Sequence, residues 1–116
     1  MHELAVTEDL LKTVLRHAAE ADARRVRQVN LVVGDLAGFV GESLEFYWQI
    51  LGEGTICRGS KLQIERISAR FACQACQLEF VMDSELAFCP QCGSHQAKLM
   101  AGNEFFLHSI DIDVDE

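Results

Sequence analysis

Residues 73–92 read "CQACQLEFVMDSELAFCPQC" and carry four cysteines in the pattern C-x2-C-x12-C-x2-C. A two-residue spacer lets each pair close a tight turn that aims both sulfurs at one point. The twelve-residue spacer is long enough for a hairpin that brings the two turns together. Four thiolates around Zn(II) make a closed tetrahedral site with Zn–S near ~2.3 Å, so a zinc held by Cys73, Cys76, Cys89 and Cys92 is structural and not catalytic. Two redox-active CxxC pairs would need a thioredoxin-like βαβ context, which the flanking sequence lacks. Iron fits the same sulfur cage and is the minor alternative. A module of this size has too little core to stay folded without its metal. The fifth cysteine, Cys57, lies well before the first pair and reads as a small, partly buried side chain.

The chain before this module has a different character. "TEDLLKTVLRHAAEADA" (7–23) places Leu10, Leu11, Val14, Leu15 and Ala18 on one helical face. Thr7 is the expected N-cap and Val6 the expected staple against Leu11, which leaves "MHELAV" before the helix. "VRQVNLVVG" (26–34) is a β-branched strand that ends at Gly34 and Asp35. After the loop "GDLAGFVG", "ESLEFYWQILGEG" reads as a second helix with Leu44, Tyr47, Trp48 and Leu51 on one face and Gly52 or Gly54 as its stop. "KLQIERISARFA" (61–72) is expected as one strand. Its apolar alternation shifts phase between Ile64 and Ile67, which points to a bulge or bend near Glu65 and Arg66.

Beyond the cysteines, "NEFFLHSIDIDV" returns to clean alternation, with Phe106, His108, Ile110, Ile112 and Val114 on one face. A strand this long and one-sided belongs with the first sheet. The predicted fold is therefore α+β: two helices on a small, mostly antiparallel three-stranded sheet, with an inserted β zinc-ribbon-like module. The expected domains are residues 1–70 plus 104–116, and an insert at 71–103.

Composition narrows the function. The net charge is −8. Residues 71–116 contain one basic residue, Lys98, against eight acidic ones, whereas residues 1–70 are near balance. A zinc-ribbon protein that binds nucleic acid or a transcription or translation complex is the alternative reading. Its affinity would have to come from Lys and Arg on phosphates, and these are missing where the zinc module is. "RRVR" (24–27) is the one basic cluster and reads as a solvated helix-to-strand junction more readily than as a binding patch. No apolar run approaches the ~18–20 residues of a membrane span, and the start lacks the pattern of a secretory signal, so a cytoplasmic location is expected. No nucleophile–base pair, phosphate loop or open metal site suggests an enzyme.

The first residues, Met1-His2-Glu3, hold a second, weaker metal motif. The Nδ1 of a histidine at position 2 can close a six-membered chelate ring with its own backbone nitrogen. The next amide, the α-amine or the Glu3 carboxylate can complete a planar set suited to Ni(II) or Cu(II). By itself the triplet reads first as an ordinary chain terminus and only second as a metal site. The other histidines read as structural: His17 near a helix end, His95 surplus to a filled thiolate site, and His108 as a hydrogen-bonded core residue.

Together these motifs resemble the HypA/HybF family, nickel metallochaperones that mature [NiFe]-hydrogenases. "MHEL", "VNLVVGDLAGF", "ESLEFYWQIL", the paired cysteines and the "SIDID" strand all carry the resemblance, which spans the chain. It implies Ni(II) as transient cargo at His2, with Glu3 as a further contact, and Zn(II) at the four cysteines. It also implies delivery to the hydrogenase large-subunit precursor with a HypB-type nickel GTPase, some members serving urease, and a monomer or weak homodimer. Some relatives place a histidine directly after each CxxC; here those positions are Gln77 and Gly93. Some use an acidic residue before the second helix as a nickel ligand; Asp35 and Glu42 flank that loop.

Overall fold

The computed structural model describes residues 3–38, 41–81 and 89–115. By internal contacts the chain divides into two units. One comprises Met1–Val32, Gly38–Glu65 and Phe106–Glu116; the other comprises Val33–Ala37 and Arg66–Phe105.

The first unit holds α1 (Glu3–Glu20), α2 (Gly41–Gly52) and most of β1 (Ala23–Gly34), β2 (Lys61–Ile67) and β6 (Phe105–Val114). Its sheet has the order β2-β1-β6, so the last strand does return to the first one. Arg24 meets Asp115, Arg27 meets Asp113 and Asn30 meets Ser109, an order that makes β1 and β6 antiparallel. Thr7, Leu10, Val14 and Ala18 form the buried stripe of α1, and Leu44 and Trp48 that of α2. The helices pack on each other, and Val26, Val29 and Leu31 of β1 are fully buried. The Trp48 indole N–H donates to Ser60 Oγ at 2.8 Å, and that hydroxyl donates to the Cys57 carbonyl at 2.5 Å. Burying an indole requires such a partner.

Two expected boundaries move. The first helix starts at Glu3, not at residue 7. Thr7 is not a cap: it is fully buried inside the helix, and its hydroxyl bonds back to the Glu3 carbonyl at 2.5 Å. A threonine one turn in can satisfy its hydroxyl this way, and nothing in "ELAV" breaks a helix. The expected single strand over 61–72 is two strands, β2 and β3 (Arg70–Cys73), which belong to different sheets. The phase shift lies just before the break at which the chain leaves one sheet for the other.

The second unit has a three-stranded sheet of order β4-β3-β5, with β4 at Glu79–Val81 and β5 at Ala97–Ala101. Both neighbours run antiparallel to β3: Phe71 faces Phe80 on one side and Leu99 on the other. Phe71 and Phe80 stack at 6.0 Å. The Gly34 N–H donates to the Glu104 carbonyl, Asp35 to Ile67 and Leu36 to Gly102, at 2.7 to 2.9 Å. A Cβ on Gly34 would lie 2.1 Å from the Gly102 carbonyl oxygen, so this crossing of backbones admits only glycine there.

Candidate metal centres

The four cysteines lie on two turns built alike. Cys73 ends β3, and the Cys73 N–H donates to the Leu78 carbonyl at 2.9 Å while the Gln77 N–H donates to the Cys73 carbonyl at 2.9 Å. In the second turn the Cys89 N–H donates to Ser94 at 2.8 Å and the Gly93 N–H to Cys89 at 2.9 Å. The residue that closes each turn has left-handed backbone, with φ of 65° at Gln77 and 77° at Gly93. A further bond from the Gln74 N–H to the Gln96 carbonyl, 2.8 Å, ties the first turn to the strand leading into β5.

This scaffold brings the four sulfurs within 4.8 Å of one another. Cys73 Sγ lies 3.6 Å from Cys92 Sγ, and Cys76 Sγ lies 3.6 Å from Cys89 Sγ. A regular tetrahedron with metal–sulfur bonds of ~2.3 Å has sulfur–sulfur edges of about 3.8 Å. The cage therefore fits one tetrahedral Zn(II). It is the single cluster of three or more metal-ligating groups among the described residues.

The charge state of the cage points the same way. The Cys76 N–H, with help from the Ala75 N–H, outweighs burial and draws the Cys73 thiol down to about 6. The Leu78 N–H favours the Cys76 thiolate, but burial and the neighbouring sulfurs push this thiol up to about 12. Burial raises Cys89, and the Cys92 and Gln91 N–H groups carry it below its ordinary value. The Ser94 N–H favours ionised Cys92, but the Cys73 thiolate and burial carry it up. Four like charges cannot share so small a volume unaided. A divalent cation supplies the missing charge, and the four sulfurs would then hold it as thiolates with a net charge of about −2.

The N-terminal motif is reached only in part. His2, the expected nickel ligand, lies outside the described residues. Glu3 is half-buried in the first turn of α1, where its carbonyl takes the Thr7 hydroxyl. Glu3 and Leu4 are thus already helical and do not precede the helix.

The remaining candidates separate. Cys57 is fully buried in the first unit, where burial pushes its thiol up, and it has no part in the cage. His108 is exposed and bonds Ser109 Oγ at 3.0 Å, so it is not the core histidine its strand position suggests. Phe106 and Val114 on the same face are each 48% exposed. His17 lies at the end of α1, 3.8 Å from Glu20, and Asp35 and Glu42 are exposed. The part of the site that sequence reasoning missed is the set of backbone donors on the thiols. Any residue type supplies a backbone N–H, so only the left-handed positions after each CxxC leave a trace in the sequence.

The family described as "Hydrogenase/urease nickel incorporation, metallochaperone, hypA" matches residues 1–112. The hydrogenase maturation factor HypA of Dehalococcoides mccartyi is 45% identical over 97% of this chain and 95% of its own. That of Moorella thermoacetica is 36% identical over 92% and 95%. The fold is that of the solution structure of the Ni metallochaperone HypA from Helicobacter pylori, with TM-score 0.67, 21% identity and coverage of 99% and 100%. A second solution structure of a HypA protein gives TM-score 0.72 at 21% identity, with coverage of 99% and 98%.

Proposed function

The chain belongs to the HypA family of nickel-incorporation metallochaperones, and on that premise we propose that its Ni(II) cargo is bound at Met1-His2-Glu3 and handed on for insertion into the active site of [NiFe]-hydrogenase. The observation that carries this is the family match over residues 1–112, which takes in the terminal motif and the cysteine cage together. The two metals then have separate tasks. Zinc has no open coordination position in a four-thiolate cage, so it holds structure. Nickel binds through the His2 imidazole and adjacent backbone nitrogen, with Glu3 as a further ligand or a contact to a partner. Ligation by backbone nitrogen displaces a proton, so nickel affinity falls steeply in acid. Affinity near micromolar, ~8 kcal/mol, suits a carrier that must release its cargo.

The protein acts in this reading as a cytoplasmic carrier without turnover. Its partners are a HypB-type nickel GTPase and the hydrogenase large-subunit precursor, with urease maturation as a further destination. Among the described residues no helix is long and apolar enough to cross a membrane. The test is a nickel titration of untagged, zinc-loaded protein. His2→Ala, or a short N-terminal extension, abolishes nickel binding and leaves zinc in place. Unchanged nickel affinity in both would remove the terminal motif as the site.

A further inference from the structure

One group of charged side chains has no part in either metal site. Arg24 and Arg25 at the start of β1, and Arg58 in the turn after α2, line one open cleft of about 590 Å³ with Thr55, Ile56 and Gly59. The whole cleft lies within the first unit. In a chain of net charge −8 with ten basic residues, three of the ten line this one cleft. We propose that this cleft binds an acidic peptide segment of a partner protein, whose carboxylates seat on the three guanidinium groups.

The floor of the cleft is fixed. The Val26 N–H donates to the Ile56 carbonyl at 2.9 Å, which fastens β1 to the turn. Cys57 and Ser60, sequence neighbours of the lining residues, are buried. Gly59 has φ of 74°, and a Cβ there would come 3.7 Å from Arg25 Nη2, so the guanidinium rests over a residue without a side chain.

The rim already accepts carboxylates. Arg24 pairs with Asp115 at 3.6 Å and Arg58 with Glu53 at 3.2 Å, all four side chains being more than 60% exposed. Exposed pairs of this kind contribute little and exchange readily. The Arg25 guanidinium has no ion pair or side-chain hydrogen bond among the described residues. Three forked donors on two separate segments match successive carboxylates along a chain better than one compact oxyanion. A small-molecule site would enclose its ligand, and this cleft is open.

The test is fluorescence anisotropy of a labelled short Glu-rich peptide against untagged, zinc-loaded protein. Binding is expected to weaken with salt and to fall about tenfold in Arg25→Gln, and further in Arg25→Gln/Arg58→Gln. Arg16→Gln, an exposed charge on α1, is expected to change it little. The matching Gln-rich peptide is expected not to bind. Equal loss with Arg16→Gln, binding of the Gln-rich peptide, or stronger competition by inorganic phosphate than by unlabelled Glu peptide at matched ionic strength would overturn the proposal. So would loss of a dimer in Arg25→Gln, because the occupant would then be a second copy of this chain. Zinc content and nickel affinity of Arg25→Gln stay at wild type, so failure here is distinct from failure of the metal reading.

Discussion

The two units of this chain hold their folds by different means. The first buries Val14, Val26, Leu31, Leu44 and Trp48 at 1% exposure or less. Among the described residues, the buried apolar side chains of the second are Val33, Ala69, Cys73 and Cys89, none larger than valine. A sheet of short strands with so little buried area does not offset the conformational entropy of ordering it. The sulfur cage supplies what the core does not. In the second unit metal takes the place that apolar burial holds in the first.

Removal of the metal is therefore the largest perturbation. Structural zinc contributes about 10–16 kcal/mol in small zinc-dependent folds, comparable with the whole stability of an ordinary domain. Strong chelation, or Cys89→Ser, is expected to release the amides of β3, β4 and β5 to free hydrogen exchange while those of α1 and β1 keep their protection. Simultaneous loss in both units would break the comparison. The reverse perturbation is Trp48→Ala, expected to cost the first unit about 3–5 kcal/mol in chemical denaturation. Ser60→Ala removes the indole's acceptor and is expected to cost about 1–3 kcal/mol. Zinc stoichiometry should be unchanged in both variants.

How much of this contrast is legible before folding depends on whether it resides in side chains or in backbone. The cage is legible because four cysteines at fixed spacing are side-chain chemistry. The buried stripes of α1 and α2 are legible because Leu10, Val14, Leu44 and Trp48 repeat at helical period. The start of α1 is not, because a threonine before an apolar run serves equally as a cap or as an interior residue that bonds back to Glu3. Nor is the division of 61–73 into β2 and β3, because a phase shift looks the same whether a strand bulges or changes sheets. His108 sits at an apolar register position, yet it is exposed; alternation gives the face of a strand and not how far the helices cover it. His2 lies outside the described residues, and its role rests on the family.

Acidity acts on the two units with opposite sign. In the cage, Cys76, at about 12, and Cys92, raised, hold their protons at neutral pH. Zinc needs thiolates, so binding releases at least these two protons and affinity is expected to rise at least about a hundredfold per pH unit. Below about 6 Cys73 also takes a proton, and the dependence steepens. In the first unit burial raises the Cys57 thiol. A raised thiol stabilises the fold below its unfolded value of about 8.5, and that contribution is lost as pH climbs through the folded value. Zinc competition titrations across pH 6 to 8, with alkaline denaturation of wild type against Cys57→Ala, check both signs. A zinc affinity that is flat with pH would mean that all four thiols are already ionised.

The smallest effect concerns the two turns of the cage themselves. Their hydrogen bonds correspond one for one, but Gln77 stands where the second turn has Gly93, and both residues have left-handed backbone. A residue with a Cβ loses about 1–2 kcal/mol in that conformation, part of which glycine returns through its freer unfolded chain. Gln77→Gly is then expected to strengthen zinc retention by up to about 1 kcal/mol. Gly93→Gln is expected to weaken it by a similar amount, since a Cβ at Gly93 meets nothing within 4 Å and the cost is conformational alone. The exchange of both residues in one protein should cancel if the turns are equivalent. A net loss of zinc in that double variant, by competition with a chromophoric chelator, would show that the Gln77 side chain contributes to the cage beyond its backbone.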